Sequence, residues 1–274
     1  MMRQTCRLAL LFVAVIGSSA VSAESLRDKL SSKIPDSKRM LLALTPEDEI
    51  RVGQQVAANL LGVAPLVKDD GLQQYVNKVG RWVAMQSGRA ELPWRFGVVE
   101  SGDVNAFAAP GGYVLITRGL YASLSDEAEL AGVLGHEIAH VVERHHIEVM
   151  RKAALVDEGR KAVDKKLNDD KDAMLKRLVG NGAEIFARRL DQDAEFEADR
   201  HGVALAARAG YSPYGLPAVL HKIASVAQGD DRVQLLYKTH PSPSARLQQL
   251  DRAMGQSFYQ YDKPGAGGKL YPLK

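Results

Sequence analysis

The residues best suited to chemistry stand in one short run, His136-Glu137-Ile138-Ala139-His140. On an α-helix, positions four apart are separated by about 400°, so His136 and His140 lie one turn apart on nearly one face. Two imidazoles in that relation can each give a ring nitrogen to one Zn²⁺ at about 2.0–2.1 Å. Glu137, one residue on, points about 100° away, toward water beside the metal rather than the metal itself. A bound metal lowers the pKa of water, and a carboxylate so placed can take the proton. That is the chemistry of metal-assisted hydrolysis. Chance alone yields the motif in about one such chain in a hundred, so its surroundings must carry weight. The competing reading is an amphipathic helix whose histidines are surface residues.

Two histidines leave such an ion short of a ligand, because a hydrolytic zinc site combines three protein ligands with an open position. The run Glu195-Phe196-Glu197-Ala198-Asp199 supplies candidates. Glu195 and Asp199 are four apart and share a helical face, whereas Glu197 lies about 200° from Glu195 and points away. Beside a two-histidine motif, Glu195 is the favoured third ligand. Asp199, one turn along, can accept the free N–H of a metal-bound histidine. The alternative is an exposed acidic patch answered by Arg188, Arg189 and Arg200.

These side chains need a scaffold. Leu130, Val133, Leu134, Ile138, Val141 and Val142 recur at helical spacing around the motif, with Ser125 as the expected N-cap and Asp126, Glu127 and Glu129 in the first turn. Upstream, Thr45 caps a helix with Pro46 at its first position and Asp48 completing a capping box. A second helix starts near Asp70, and Leu72, Tyr75, Val76, Val79, Trp82 and Val83 are expected to face the core. The period then changes. Residues 95–99 and 113–117 read as two strands of an ordinary hairpin, joined through Asn105-Ala106-Phe107-Ala108-Ala109-Pro110-Gly111-Gly112. An equally weighted reading makes Asn105, Ala106, Phe107 and Ala108 an edge beside the metal that pairs with an extended peptide. Residues 156–177 interleave lysines with acids and are expected to form a solvated helical excursion, a lid being the lesser alternative. Tyr211-Ser212-Pro213 opens a last pair of helices, with a turn at Thr239-His240-Pro241 feeding the second. Residues 263–274, rich in glycine, are expected to be a mobile tail.

The chain ends and composition set further bounds. Residues 1–23 have a positive start at Arg3 and Arg7, a short apolar run, and Val21-Ser22-Ala23 before Glu24, the pattern of a cleavable signal peptide. The apolar run is too short to span a bilayer comfortably. Cys6 is the one cysteine and would leave with this segment, so disulfides and thiol catalysis are excluded from the mature chain. Removing Arg3 and Arg7 takes 36 basic residues to 34 against 33 acidic, a formal charge near +1. That balance argues against nucleic-acid binding and limits membrane association to a peripheral kind. Residues 24–44 are read as a flexible lead-in and 45–262 as one domain with a sizeable core.

Taken together, Asn105-Ala106-Phe107 with Pro110-Gly111-Gly112, then HEIAH with His145 behind it, then Glu195 to Asp199, then His240-Pro241 with Arg246, resemble metallopeptidase family 48 in family order over about residues 45–255. The resemblance implies an α+β, mostly α, gluzincin-type zinc domain with a small antiparallel sheet beside the active-site helix. It implies Glu195 as third ligand, Asp199 behind it, and His240 meeting the zinc or its substrate, with Arg246 in support. No transmembrane helices flank the domain and little chain follows Arg246, which separates this sequence from the membrane-embedded and repeat-bearing members. The other histidines are expected to be bland. His145 lies about 180° from His136 round a continuing helix and should not share its metal, while His146, His201 and His221 lack partners at ligand spacing.

The resulting expectation is a periplasmic endopeptidase with one Zn²⁺ per chain, acting on polypeptides such as misfolded envelope proteins, with Glu137 as general base. The rival is a chaperone-like or outer-membrane assembly factor holding a latent, self-inhibited zinc site. A purely structural zinc is disfavoured by a ligand set of three. The exported protein should begin at Glu24. N-terminal sequencing checks this, and an intact Met1, or retention in the membrane fraction after a salt wash, would count against it.

Overall fold

A computed structural model describes residues 44–152, 190–226, 230–261 and 268–273. The expected signal peptide, most of the lead-in and the charged segment 156–177 lie outside the described residues. Helix α1 (Pro46–Val63) begins as its sequence demands: Thr45 accepts from the Asp48 N–H while the Asp48 carboxylate accepts from the Thr45 N–H at 3.0 Å. Helix α2 (Asp70–Ala84) is capped by Asp69, which accepts from the Leu72 N–H at 3.0 Å. Its stripe of Leu72, Val76, Val79 and Val83 is fully buried.

Trp82 departs from expectation. It sits beside that stripe, about half exposed (48 %), and its indole N–H donates to the Ala209 carbonyl at 2.8 Å. It therefore ties two helix ends together at the surface rather than filling the core.

Three strands follow: β1 (Arg95–Val99), β2 (Ala106–Ala109) and β3 (Tyr113–Thr117), in the order β1-β3-β2. The expected antiparallel hairpin of residues 95–99 with 113–117 is wrong, since these two strands run parallel, Arg95 opposite Tyr113 and Val99 opposite Thr117. The hairpin is β2–β3, antiparallel with Ala106 opposite Ile116, so the sheet is mixed. Residues 106–109 lack the β-branched alternation that marks a strand, and their pairing rather than their propensity makes them one. With β2 on one side of β3, β1 must take the other. The β2–β3 turn uses Gly111 (φ 74°) and Gly112 (φ 99°), and a Cβ on Gly111 would lie 2.5 Å from the Ile50 Cα of α1. The outer edge of β1 is covered by α2, where Gln73 accepts from the Val98 N–H and donates to the Val98 carbonyl, both at 2.9 Å. Among the described residues no strand pairs with the outer edge of β2.

Short α3 (Arg118–Ser123) leads to the central helix α4 (Glu127–Val142). Its N-cap is Asp126, not Ser125: Asp126 accepts from the Glu129 N–H at 2.9 Å, and the Glu129 carboxylate accepts from the Ser125 N–H at 2.7 Å. Fourteen of its sixteen residues are buried, because the sheet, α2 and two later helices enclose it. Those later helices are α5 (Gln192–Arg208) and α6 (Gly215–Ser225). A 3₁₀ turn (Asp231–Val233), α7 (Gln234–Thr239), α8 (Pro243–Met254) and a second 3₁₀ turn (Tyr259–Tyr261) follow, so α7 is one short helix more than the expected pair.

The expected tail also departs. Residues 268–273 are strapped to the core: the Gly268 carbonyl accepts from the Glu127 N–H at 2.8 Å, the Tyr271 carbonyl accepts from the Tyr121 hydroxyl at 2.7 Å, and Leu270 and Leu273 pack on the main cluster. Three apolar side chains in six residues outweigh the glycine content that suggested mobility.

Helices α4 and α5 meet backbone to backbone. A Cβ on Gly135 would lie 2.6 Å from the Gly202 carbonyl oxygen, and one on Gly202 would lie 2.6 Å from the His136 nitrogen. Gly202→Ala should therefore force the helices apart and lower stability by about 1–3 kcal/mol, as overpacking does. Urea denaturation measures this, and an unchanged midpoint would show that the contact is dispensable.

Candidate metal centre

The cross-helix contact sets the site. His136 follows Gly135 directly, and on α5 Asp199 and Glu195 precede Gly202 by three and seven residues, on the same face. His136, His140, Glu195 and His240 are all buried, and each offers a ligand atom such that the four atoms lie within 4.8 Å of one another. The Nε2 atoms of His136 and His140 are 3.0 Å apart. Glu195 places Oε2 3.7 Å from His136 Nε2 and Oε1 3.5 Å from His140 Nε2. Ligands at about 2.0–2.1 Å round a tetrahedral ion stand about 3.3–3.4 Å apart, so these edges suit one Zn²⁺.

The hydrogen bonds give an independent test of fit. His136 Nδ1 lies 2.9 Å from Asp199 Oδ1, and His140 Nδ1 lies 2.9 Å from His145 Nδ1, whose Nε2 is 3.2 Å from Glu197 Oε2. One proton arrangement satisfies all of these: each ligand histidine donates through Nδ1, and His145 passes the donation on to Glu197. Both Nε2 atoms are then acceptors facing each other across 3.0 Å, with Arg246 Nη2 3.4 Å from that of His136, and a metal ion between them would use both lone pairs. Glu195 Oε1 is also fully buried with no hydrogen-bond partner. The donor set fits a metal.

Electrostatics supports the assignment. Burial would raise the Glu195 carboxyl, but His240 beside it, then His140 and His136, outweigh burial and hold it well below the usual carboxylate range. Asp199 behaves alike. Burial is outweighed by Arg246, which donates through Nε to Oδ2 at 2.9 Å and through Nη2 to Oδ1 at 2.6 Å, and by His136. Burial pushes His140 well below the ordinary imidazole value, leaving a neutral ring with a free lone pair. Glu137 moves the other way: burial raises its carboxyl, offset only in part by His136, His240 and Arg246. A carboxylate with raised proton affinity is what a general base requires.

His136, Glu137, His140, Glu195, Asp199, His240, Arg246 and residues 105–108 all lie at or beside this point, while Glu197 turns outward as its helical phase dictates and reaches it only through His145. Glu137, Asn105 and Ala106 line a small cavity with His136, His240 and Arg246, while Phe107 and Ala108 line a second beside His140. His240 Nδ1 is 2.7 Å from Glu195 Oε2.

Three histidines read as bland are not. Helix α4 stops at Val142 and Arg144 takes φ 60°, which swings His145 back beneath His140 instead of carrying it round the helix. His146 lines the cavity beside Glu137 and the β2 edge, and burial pushes its imidazole down to about 3. His201 Nδ1 lies 2.9 Å from Glu143 Oε1 across the α4–α5 seam. No sequence spacing signals these contacts, because each depends on the break at Arg144 or on helix packing.

Comparison with known proteins follows the same lines. The model of peptidase family M48 matches residues 71–254. The beta-barrel assembly-enhancing protease of Escherichia coli K12 is 31 % identical over 205 residues, covering 73 % of this chain and 42 % of that protein. The mitochondrial metalloendopeptidase OMA1 of Arabidopsis thaliana is 31 % identical over 208 residues, covering 74 % of this chain and 40 % of the relative. The corresponding Schizosaccharomyces pombe protein is 27 % identical over 201 residues, covering 73 % and 58 %. The chain thus spans about two fifths of the length of the first two relatives. No helix among the described residues is long and apolar enough to cross a membrane.

Metal content after dialysis should separate the acids. Glu195→Ala should come out empty and Glu197→Ala loaded, while Asp199→Asn and His145→Phe should each weaken zinc binding by about 10–100-fold. A loaded Glu195→Ala beside an empty Glu197→Ala would mean that the carboxylates have exchanged roles.

Proposed function

We propose that this chain, which belongs to peptidase family M48, is a zinc-dependent endopeptidase in which His136, His140 and Glu195 hold the ion. The observation that carries the reading is the pair of facing Nε2 atoms beside an unsatisfied Glu195 oxygen, with Glu137 buried in the same cleft. When bound, zinc supplies Lewis acidity to a carbonyl and makes water more acidic. Glu137 accepts the proton of the attacking water and returns it to the leaving amine. Asp199, braced by Arg246, fixes the ring of His136, and Glu197 acts through His145 on the ring of His140.

The edge of β2 would hold substrate extended, its free backbone groups pairing with the peptide chain. Asn105 supports this, since its side-chain nitrogen and oxygen are fully buried without a partner. The substrates we assign are polypeptides of the bacterial envelope, in protein quality control in the periplasm. That assignment rests on the signal-peptide pattern of residues 1–23 and on the relatives named for β-barrel assembly.

A second reading, a latent enzyme with a chaperone-like or assembly role, is favoured by one observation. His240 belongs to the same four-donor cluster, so its ring can take the position that water needs. His240→Ala should then raise basal peptide hydrolysis at saturating zinc. A fall of about 10²–10³-fold would instead mark His240 as a donor to the developing oxyanion. For the chemistry itself, Glu137→Gln should keep zinc near the wild-type level and lose cleavage by about 10²–10⁴-fold. Equal loss of metal and cleavage would remove Glu137 from its assigned role.

A further inference from the structure

Beside His136 and Glu137 lies a partly open cavity of about 30 Å³. Its lining combines polar groups from the metal-binding cluster and beside it, Asn105, His136, Glu137 and Arg246, with aliphatic side chains. Leu120 comes from α3, Val133 from α4, and Leu216, Val219, Leu220 and Ile223 from α6. All six wall residues are buried, so the cavity belongs to the packed interior and its size is set by rigid neighbours. The mixture matters. The aliphatic lining gives a peptide side chain somewhere to go, while Asn105 on the same lining, 0 % exposed with neither amide atom paired, is left for backbone partners.

We propose that this cavity receives the side chain of a residue flanking the scissile bond, and that its size selects small aliphatic side chains, alanine to valine, over leucine and phenylalanine. The inference rests on the peptidase reading above and adds the substrate class. One water needs about 10–15 Å³ on this measure, so the cavity holds two or three water-sized groups. The three carbons of valine fit that space, whereas a phenyl ring of six does not. Asn105 would fix the register by hydrogen-bonding the backbone of the same residue, so that burial of the side chain and alignment of the scissile bond occur together.

The test uses zinc-loaded protein and peptides identical except at one position, occupied by Ala, Val, Leu or Phe, with both product ends sequenced to locate the cut. The kcat/KM for Val should exceed that for Phe by about tenfold or more, the discrimination typical of a tight apolar pocket. Ile223→Ala should shift the ratio toward Leu and Phe, and Val219→Phe should narrow it toward Ala. Such ratios are internal to each preparation, so partial unfolding cannot imitate a shift. As a readout independent of turnover, product peptides should bind Glu137→Gln in the same order by calorimetry. The proposal is overturned if Phe equals or exceeds Val in the wild type, or if both pocket variants leave the ratios unchanged while zinc-dependent cleavage persists. Ordered binding without any cleavage would keep the pocket and sink the peptidase reading, and absence of both would remove the two together.

Discussion

The contact between the backbones of Gly135 and Gly202 is the constraint on which the site depends. His136, His140 and Glu195, with Asp199 behind His136, must converge from two helices, and side chains as short as aspartate and glutamate cannot bridge helices held at ordinary spacing. Removing both Cβ atoms at the crossing brings the backbones together. Asp199 and Glu195 lie on the stripe of α5 that carries Gly202, so the close approach delivers them to His136 and His140. A second small-residue crossing does the same for α6: a Cβ on Gly132 would lie 2.4 Å from the Leu216 nitrogen. The walls of the cavity behind Glu137 are thereby pressed against the histidine-bearing helix.

Such convergence concentrates buried polar groups, which are costly unless paired. The two ligand histidines meet this demand differently. His136 is oriented by a carboxylate directly, and that carboxylate is neutralised by an arginine that is itself buried. His140 is oriented through an intervening imidazole whose far nitrogen reaches the half-exposed Glu197. One side of the centre is therefore sealed, and the other communicates with solvent through a single ring. The buried Glu49 carboxylate, paired with Arg89 and Arg144, anchors the turn that makes this second route possible.

How much of this the sequence revealed depended on whether a feature was local. The capping box at Thr45 and the phase of Glu195 against Glu197 follow from helical geometry over a few residues and are legible. The position of His145 is not legible, because periodicity carries the helix past Val142 and the left-handed Arg144 that breaks it has no periodic signal. Residues 106–109 leave a connection and an edge equally open in the sequence, because Ala106-Phe107-Ala108-Ala109 has no strand signature of its own and its partner supplies the structure. Helix α4 is legible from Leu130, Val133, Leu134, Ile138, Val141 and Val142 at helical spacing, but not how deeply it is buried. A helix enclosed on nearly every side has little amphipathic contrast to read.

The order in which the chain is made gives the strap at residues 268–273 a consequence of its own. Synthesis delivers the N-terminal parts first. His136 emerges 110 residues before Arg246, and Tyr121 emerges 150 residues before the Tyr271 carbonyl that accepts its hydroxyl. Contacts so distant along the chain close late, after the intervening entropy has been lost. A nascent chain therefore carries its two motif histidines and Glu137 well before Asp199 can be braced or the start of α4 fastened.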